Sequence, residues 1–272
     1  MSRFFPFFRG APRVAVIRLS GAIGGAGRFG AGMSDEALAP LIERAFRAGK
    51  PRAVALIVNS PGGSPVQSAL IAARIRRLAE ERRVPVHAFV EDVAASGGYW
   101  LACAADHIWV DANSVVGSVG VIAASFGFHD LLVRHGIERR VYTAGKSKSM
   151  NDPFQPEKPE DVARLKALMG PIHENFIAHV KARRGERLSQ EVALFEGDIW
   201  VGAQAVGLGL ADGIAHPVPK LKEIYGDKVR LVPHKARRPL LSRLRPGIAA
   251  AEAAGAIVDA AEERALWARY GL

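Results

Sequence analysis

The chain has a single cysteine, Cys103, among 272 residues. A structural disulfide within it is therefore excluded, and so is a zinc cage built on cysteine ligands. A sequence so poor in thiols fits a reducing compartment. It also lacks any run of about 18 uninterrupted apolar residues, the length a membrane-spanning helix needs. The aromatic stretch Phe4-Phe5-Pro6-Phe7-Phe8, followed by Arg9, is too short for the apolar part of a signal peptide and is interrupted by proline. No internal repeat and no nucleic-acid-binding motif is found, so nucleic acid is not expected as a partner. Glycine turns are present, but no Lys-Ser or Lys-Thr follows them, which leaves a phosphate-binding P-loop unsupported. The eight histidines fall in no recognisable catalytic motif. No metal and no organic cofactor is expected.

What is present is apolar and basic. Hydrophobic residues make up 49% of the chain, enough to bury a sizeable core. Lys and Arg number 37 against 27 Asp and Glu, a net charge of +10. The cations cluster at Arg134–Arg140, Lys181–Arg187 and Lys235–Arg245. Solvated helix faces and a basic tail account for them. Attraction to anionic lipid is the sharper alternative, so the expected location is the cytoplasm, with peripheral contact at the inner membrane face.

Short apolar runs alternate with helical patterns. Strands are expected at Arg13–Leu19, Ala53–Val58, Val86–Val90 and Ile108–Val110. Helices are expected after the capping candidates Ser34 or Asp35 and Ser64, the latter with Pro65 at the first helical position. Ala94–Tyr99 opens a short apolar helix that runs to Ala105. Further helices are expected over Pro159–His179, over Leu188–Phe195 and, as helix or turn, over Trp200–Leu210. Near-continuous apolar strands alternating with helices indicate a parallel sheet covered on both faces. Past His216 five prolines punctuate a basic stretch, and Ile248–Trp267 has a helical, Ala- and Glu-rich composition. The expected division is an N-terminal arm over 1–12, one α/β domain over 13–216 and a basic, partly helical extension over 217–272.

Two glycine turns lie between a strand and a helix. One is Asn59-Ser60-Pro61-Gly62-Gly63; the other is Ala94-Ala95-Ser96-Gly97-Gly98-Tyr99. Glycines after Ser96 clear space for an approaching carbonyl, and free N–H groups at a helix start suit a developing oxyanion. On spacing alone, a serine that merely caps its helix is the better account of Ser96, since capping serines greatly outnumber nucleophiles. A serine nucleophile needs a proton acceptor, usually His and sometimes Lys. Lys146 and Lys148 stand in the loop Gly145–Ser149. A lysine serves as base only where burial disfavours its charge, and two solvated loop lysines fit the same residues.

Four runs occur in order: Asn59–Gly63, Ala94–Tyr99, Gly117-Ser118-Val119-Gly120-Val121 and Gly145–Ser149. Together, over about Arg13 to Ile214, the chain resembles the signal peptide peptidase A family of serine peptidases, which includes SohB-like members. The resemblance implies a ClpP/crotonase-like fold and a Ser–Lys dyad. It implies Ser96 as nucleophile, Lys148 as general base with Lys146 the less favoured neighbour, and Ser118 as the serine that orients the lysine. Gly97 N–H and an N–H from Gly62 or Gly63 would form the oxyanion hole. It further implies an extended peptide or protein substrate, such as signal-peptide remnants, and a ring-shaped homo-oligomer in which the serine and lysine meet at a subunit boundary. Trp100 stands where the family often has tyrosine. Many members carry an N-terminal membrane anchor, and none is expected here. Two competing expectations are a crotonase-type acyl-thioester enzyme, with a catalytic carboxylate and an enolate in the glycine pocket, and a catalytically silent oligomeric scaffold.

Overall fold

A computed structural model of the protein describes residues 11–24, 32–145, 147–235 and 264–271. The aromatic run 4–8, Lys146, most of the basic stretch 235–245 and residues 248–263 of the expected last helix lie outside the described residues.

The expected strands form the centre. They are β1 (Arg13–Ser20), β2 (Ala53–Ser60), β3 (Val86–Ala95) and β4 (His107–Val110), joined by β5 (Val115–Gly117), β6 (Ile199–Val201), β7 (Gly213–Ile214) and β8 (Arg230–His234). The sheet order is β6-β5-β3-β2-β1-β8, with β4 pairing to β3 and β7. All pairs are parallel except β5 with β6. β2 is buried at every position but one, which fits an all-apolar central strand of a covered parallel sheet.

The helices are α1 (Asp35–Arg47), α2 (Pro65–Arg82), α3 (Gly97–Ala102), α4 (His129–Arg134), α5 (Pro159–Arg184), α6 (Gly202–Gly207) and α7 (Pro217–Tyr225). Ser34 and Ser64 both cap as expected: their side chains accept from Ala37 N and Gln67 N. Ile42, Phe46, Ile71, Ile75, Leu101 and Val180, from four of these helices, share one core with Ile17, Leu56 and Ala88 of the sheet. Leu221 of α7 and Phe89 belong to a smaller cluster with Val14, Ala53, Ala55 and Ile57.

Three expectations differ from the structure. Residues 188–195 form no helix. They are an irregular segment in which Leu188 and Leu194 are buried, anchors spaced for a wrapped loop on the main core. β5 was too short and too close to glycine to read as a strand, yet it carries Ser118 at its end. The sheet also runs past residue 216, the expected start of the extension. β8 pairs with β1 from Arg13↔Arg230 to Ile17↔His234, and Leu221 is fully buried. Pro233 is tolerated because β8 is an edge strand. Among the described residues, no helix is long and apolar enough to cross a membrane.

Candidate active site

Register brings the first three sequence runs together at the carboxyl ends of the central strands, where ligands of open α/β sheets bind. β3 pairs with β5 as Ala95↔Gly117, so Ser96 and Ser118 leave the sheet side by side. β2 pairs with β3 as Ser60↔Ala94, which sets the Pro61–Gly63 turn on the other flank of Ser96. Ser96 N donates to Gly117 O at 2.8 Å and ties the two strand ends directly.

Ser96 has φ 52° and ψ −123°, a conformation that L residues rarely adopt and that costs on the order of 1–3 kcal/mol. Its hydroxyl makes no capping bond to α3, unlike those of Ser34 and Ser64. The backbone instead does the work of starting the helix: Tyr99 N and Trp100 N both donate to Ser96 O at 3.0 Å. A half-buried hydroxyl thus stands on a sharp strand-to-helix turn, committed to no helix cap. Strained turns of this kind present the nucleophiles of α/β hydrolases.

The glycine turn packs against it. A Cβ on Gly97 would stand 2.4 Å from Ser68 Oγ and 3.4 Å from Gly63 N, so only glycine lets the two turns approach. Gly62 N already donates to Ser60 Oγ at 3.2 Å, and Ser60 Oγ in turn donates to Gly21 O at 2.7 Å. Of the two glycines proposed from sequence, Gly63 is therefore the one whose N–H that hydroxyl leaves uncommitted. Asn59 braces the turn: its Nδ2 donates to Asp92 Oδ2 at 2.7 Å, and its Oδ1 accepts from Val93 N at 3.1 Å.

Ser118 is buried and has φ 52°. Its N donates to Asp198 O at 2.6 Å, and its neighbour Val119 offers O to His173 of α5 at 3.1 Å. Thus Asp198, just before β6, and His173 of α5 hold this turn from outside. Behind α3, Tyr99 is fully buried and donates its hydroxyl to Leu210 O at 2.8 Å, while Trp100 stacks on Phe176 and His179.

Ser96, Ser118, Gly62, Gly63 and Gly97 are brought together; Lys148 is not. It is exposed in the loop after Gly145, and its side chain makes no hydrogen bond or ion pair among the described residues. Its neighbour Ser147 accepts from Arg164 of α5. No described residue between 120 and 160 is buried, yet Ile122, Phe126, Leu131, Val133, Ile137 and Tyr142 are large, apolar and exposed. A cleft of about 640 Å³ runs between this segment and α5, lined by Phe126, Pro153, Asp161 and Leu165 among others.

Sequence reasoning missed two residues at the site. Ser60 was one letter in a turn motif. Tyr270 was part of the expected extension, but its hydroxyl lies 3.4 Å from both Pro61 O and Ser118 Oγ. Separations of 209 and 152 residues leave no local signal for those contacts.

The strand ends of a parallel α/β sheet thus converge on a strained serine beside glycine N–H groups, the place where proteins of this class carry their sites. Residues 79–217 match peptidase family S49, and the chain belongs to this family of serine peptidases, with its ClpP/crotonase-like α/β fold. The chain is also 49% identical over 271 residues to the "Na(+)/H(+) antiporter NhaA" of Brucella melitensis biotype 1, covering 95% of this chain and 37% of that protein. It is 29% identical over 210 residues to "Serine protease SPPA, chloroplastic" of Arabidopsis thaliana, covering 75% of this chain and 31% of that one. The chain thus spans about a third of the length of either relative. Among solved structures, it is similar to the 1510-N membrane-bound stomatin-specific protease, with TM-score 0.49 and 14% identity over 86% of this chain and 95% of that one.

Proposed function

We propose that the chain is a serine endopeptidase that cleaves extended polypeptides, such as signal-peptide remnants, with Ser96 as nucleophile and Lys148 as general base. The observation that carries the reading is Ser96 itself: a strained, uncommitted hydroxyl between Gly97 and the Gly62–Gly63 turn. A serine kept only to cap α3 would make the capping bond and would have no need of the strain.

Lys148 takes the Ser96 Oγ proton as Oγ attacks the substrate carbonyl carbon. Gly97 N–H and Gly63 N–H hold the resulting oxyanion. Collapse breaks the C–N bond, and the leaving amine takes its proton from Lys148. Water then attacks the acyl ester of Ser96 and gives a proton to Lys148, which returns it to Oγ. Ser118 Oγ holds the lysine amine in line during both halves.

Lys148 reaches Ser96 in an assembly of copies of this chain. It sits on a segment that puts no described apolar residue into the core and exposes a row of large apolar side chains. A monomer seldom leaves so many exposed together, and a second copy is the occupant that would also supply the missing base. The net charge of +10 supports a place of work in the cytoplasm near the anionic inner membrane face.

Ser96→Ala and Lys148→Ala should each abolish peptide cleavage while leaving the circular dichroism of the folded chain unchanged. A serine-directed fluorophosphonate should label Ser96, located by mass spectrometry of the adduct. Full activity in either variant, or labelling at another serine, would reject the dyad.

A further inference from the structure

The contacts of Tyr270 point to regulation of the same site. Residues 264–268 form a short helical turn, and Tyr270 N and Gly271 N close it onto Trp267 O and Ala268 O at 2.9 and 3.1 Å. This turn presents Tyr270 between the two walls that flank Ser96. One wall is the Pro61 carbonyl, next to the glycines of the proposed oxyanion hole; the other is Ser118 Oγ. The Tyr270 hydroxyl donates toward both Pro61 O and Ser118 Oγ, each at 3.4 Å, so its single proton is shared between them. Trp267 and Tyr270 are half-buried, and the Arg269 guanidinium lies 5.9 Å from the centre of the Tyr270 ring.

We propose that residues 264–271 are an internal strap that holds the cleft in a resting state, with Tyr270 occupying the position on Ser118 that the Lys148 amine must take. The proposal rests on the Ser–Lys reading for its functional consequence and on the Tyr270 contacts for its existence. A Tyr270 hydroxyl lying on Ser118 Oγ stands where the lysine amine must be held. Its contact with Pro61 O also sets it beside the glycine turn that an extended substrate would meet. Lys148, with no side-chain partner among the described residues, and Ser118, engaged by Tyr270, are two sides of one arrangement. The strap competes with lysine and substrate alike, and it must leave before the site can assemble.

Tethering makes weak docking sufficient. A segment carried on the same chain acts at an effective concentration on the order of 1 mM. An intrinsic dissociation constant of about 0.1 mM would then leave about one site in eleven open, so release would speed the reaction about tenfold.

The test uses the full chain and its Tyr270→Ala and Tyr270→Phe variants, with the rate of Ser96 labelling by a fluorophosphonate as readout. A synthetic peptide of residues 264–272, carrying a fluorophore, reports docking by anisotropy. Tyr270→Ala should label about tenfold faster than the unaltered chain and Tyr270→Phe at an intermediate rate. Millimolar peptide should slow Tyr270→Ala again. Equal labelling rates in all three chains would overturn the strap. So would a peptide that fails to bind Tyr270→Ala saturably. If Ser96 is labelled in none of the chains while the peptide binds Tyr270→Ala and is displaced by unlabelled peptide, the docking contact stands and the nucleophile assignment falls.

Discussion

Gly62 lies so close to Ser96 that a Cβ built on it would stand 2.8 Å from the Ser96 Cβ. It would also meet Ala95 O and Gly97 N at 2.9 Å, and φ at Gly62 is +104°. The two glycine turns are thus in backbone contact across Ser96. Gly62→Ala should force them apart and displace the Gly63 N–H from the oxyanion. Loss of one such donor costs about 100- to 1,000-fold in kcat. The fold should survive, because the core beneath the turn is untouched. A matched control is Gly207→Ala, where an added Cβ meets nothing within 4 Å. Peptide hydrolysis by the two variants, with thermal unfolding of each, checks this. A Gly62→Ala enzyme as fast as the Gly207→Ala control would show that the turn spacing does not matter.

The exposed place of Lys148 makes a second prediction sharp. If the base comes from a neighbouring copy, Ser96→Ala chains still carry a usable lysine and Lys148→Ala chains a usable serine. Mixed after dissociation and reassembled in equal amounts, the two inactive proteins should regain about a quarter of the unaltered activity, the share of sites that pair the two intact residues at random. A mixture that stays inactive, with mass measurements showing that the chains have mixed, would place serine and lysine in one subunit.

Much of this site was legible because it depends on short-range patterns. The strands β1 to β3 are continuous apolar runs, and Ser64 followed by Pro65 announces α2 before any contact is known. Ser96 and its glycines were visible as a turn, but not the strain: a φ of 52° follows from the register Ala95↔Gly117, which the sequence does not spell out. The choice between Gly62 and Gly63 likewise needed Ser60, whose hydroxyl holds the Gly62 N–H. Residues 188–195 misled because buried leucines in a loop have the same spacing as one face of a helix. α7 and β8 were hidden by prolines. Those prolines sit at the first turn of a helix and on an edge strand, two places where the missing N–H costs little. Tyr270 could not have been found at all, since its partners are more than 150 residues away.

Cys103 is fully buried at the end of α3, and burial pushes its thiol up to about 12. At pH 8 only about one molecule in ten thousand would carry the thiolate, and a reagent could not reach it. Iodoacetamide should leave the native chain unmodified over an hour and alkylate it fully in 6 M guanidinium, a concentration of about the size needed to unfold stable domains. Mass spectrometry distinguishes the two states. Rapid alkylation of the native chain would mean that α3, which follows Ser96, opens far more readily than its packing against Leu210 and Phe176 suggests.

The last prediction concerns acid. His87 is buried on the α7 side of the sheet, and burial, with His107 stacked 5.4 Å away, brings it down to about 4. Its partners fix a neutral ring: Trp109 Nε1–H points at Nδ1 from 3.5 Å, and Nε2–H donates to Tyr225 Oη at 2.9 Å. A second ring proton would face the Trp109 N–H. His179 is also brought down to about 4, chiefly by burial against Trp100. In the unfolded chain both histidines titrate near 6.5, so as pH falls the unfolded chain takes up protons first. The stability they contribute is therefore complete above pH 6.5 and is lost as pH falls toward 4. For His87 the shift corresponds to a loss on the order of 3 kcal/mol. Asp35 and Asp212 are held below the ordinary carboxylate range by Arg74 and Arg184, so their contribution fails only at lower pH. Urea midpoints measured from pH 7.5 to 4 should fall across this window, and His87→Leu should flatten the fall even if it lowers the midpoint at pH 7.5. A midpoint that stays level between pH 7 and 4.5 in the unaltered chain would mean that His87 accepts its proton inside the fold, and that the Trp109 and Tyr225 contacts do not hold the ring neutral.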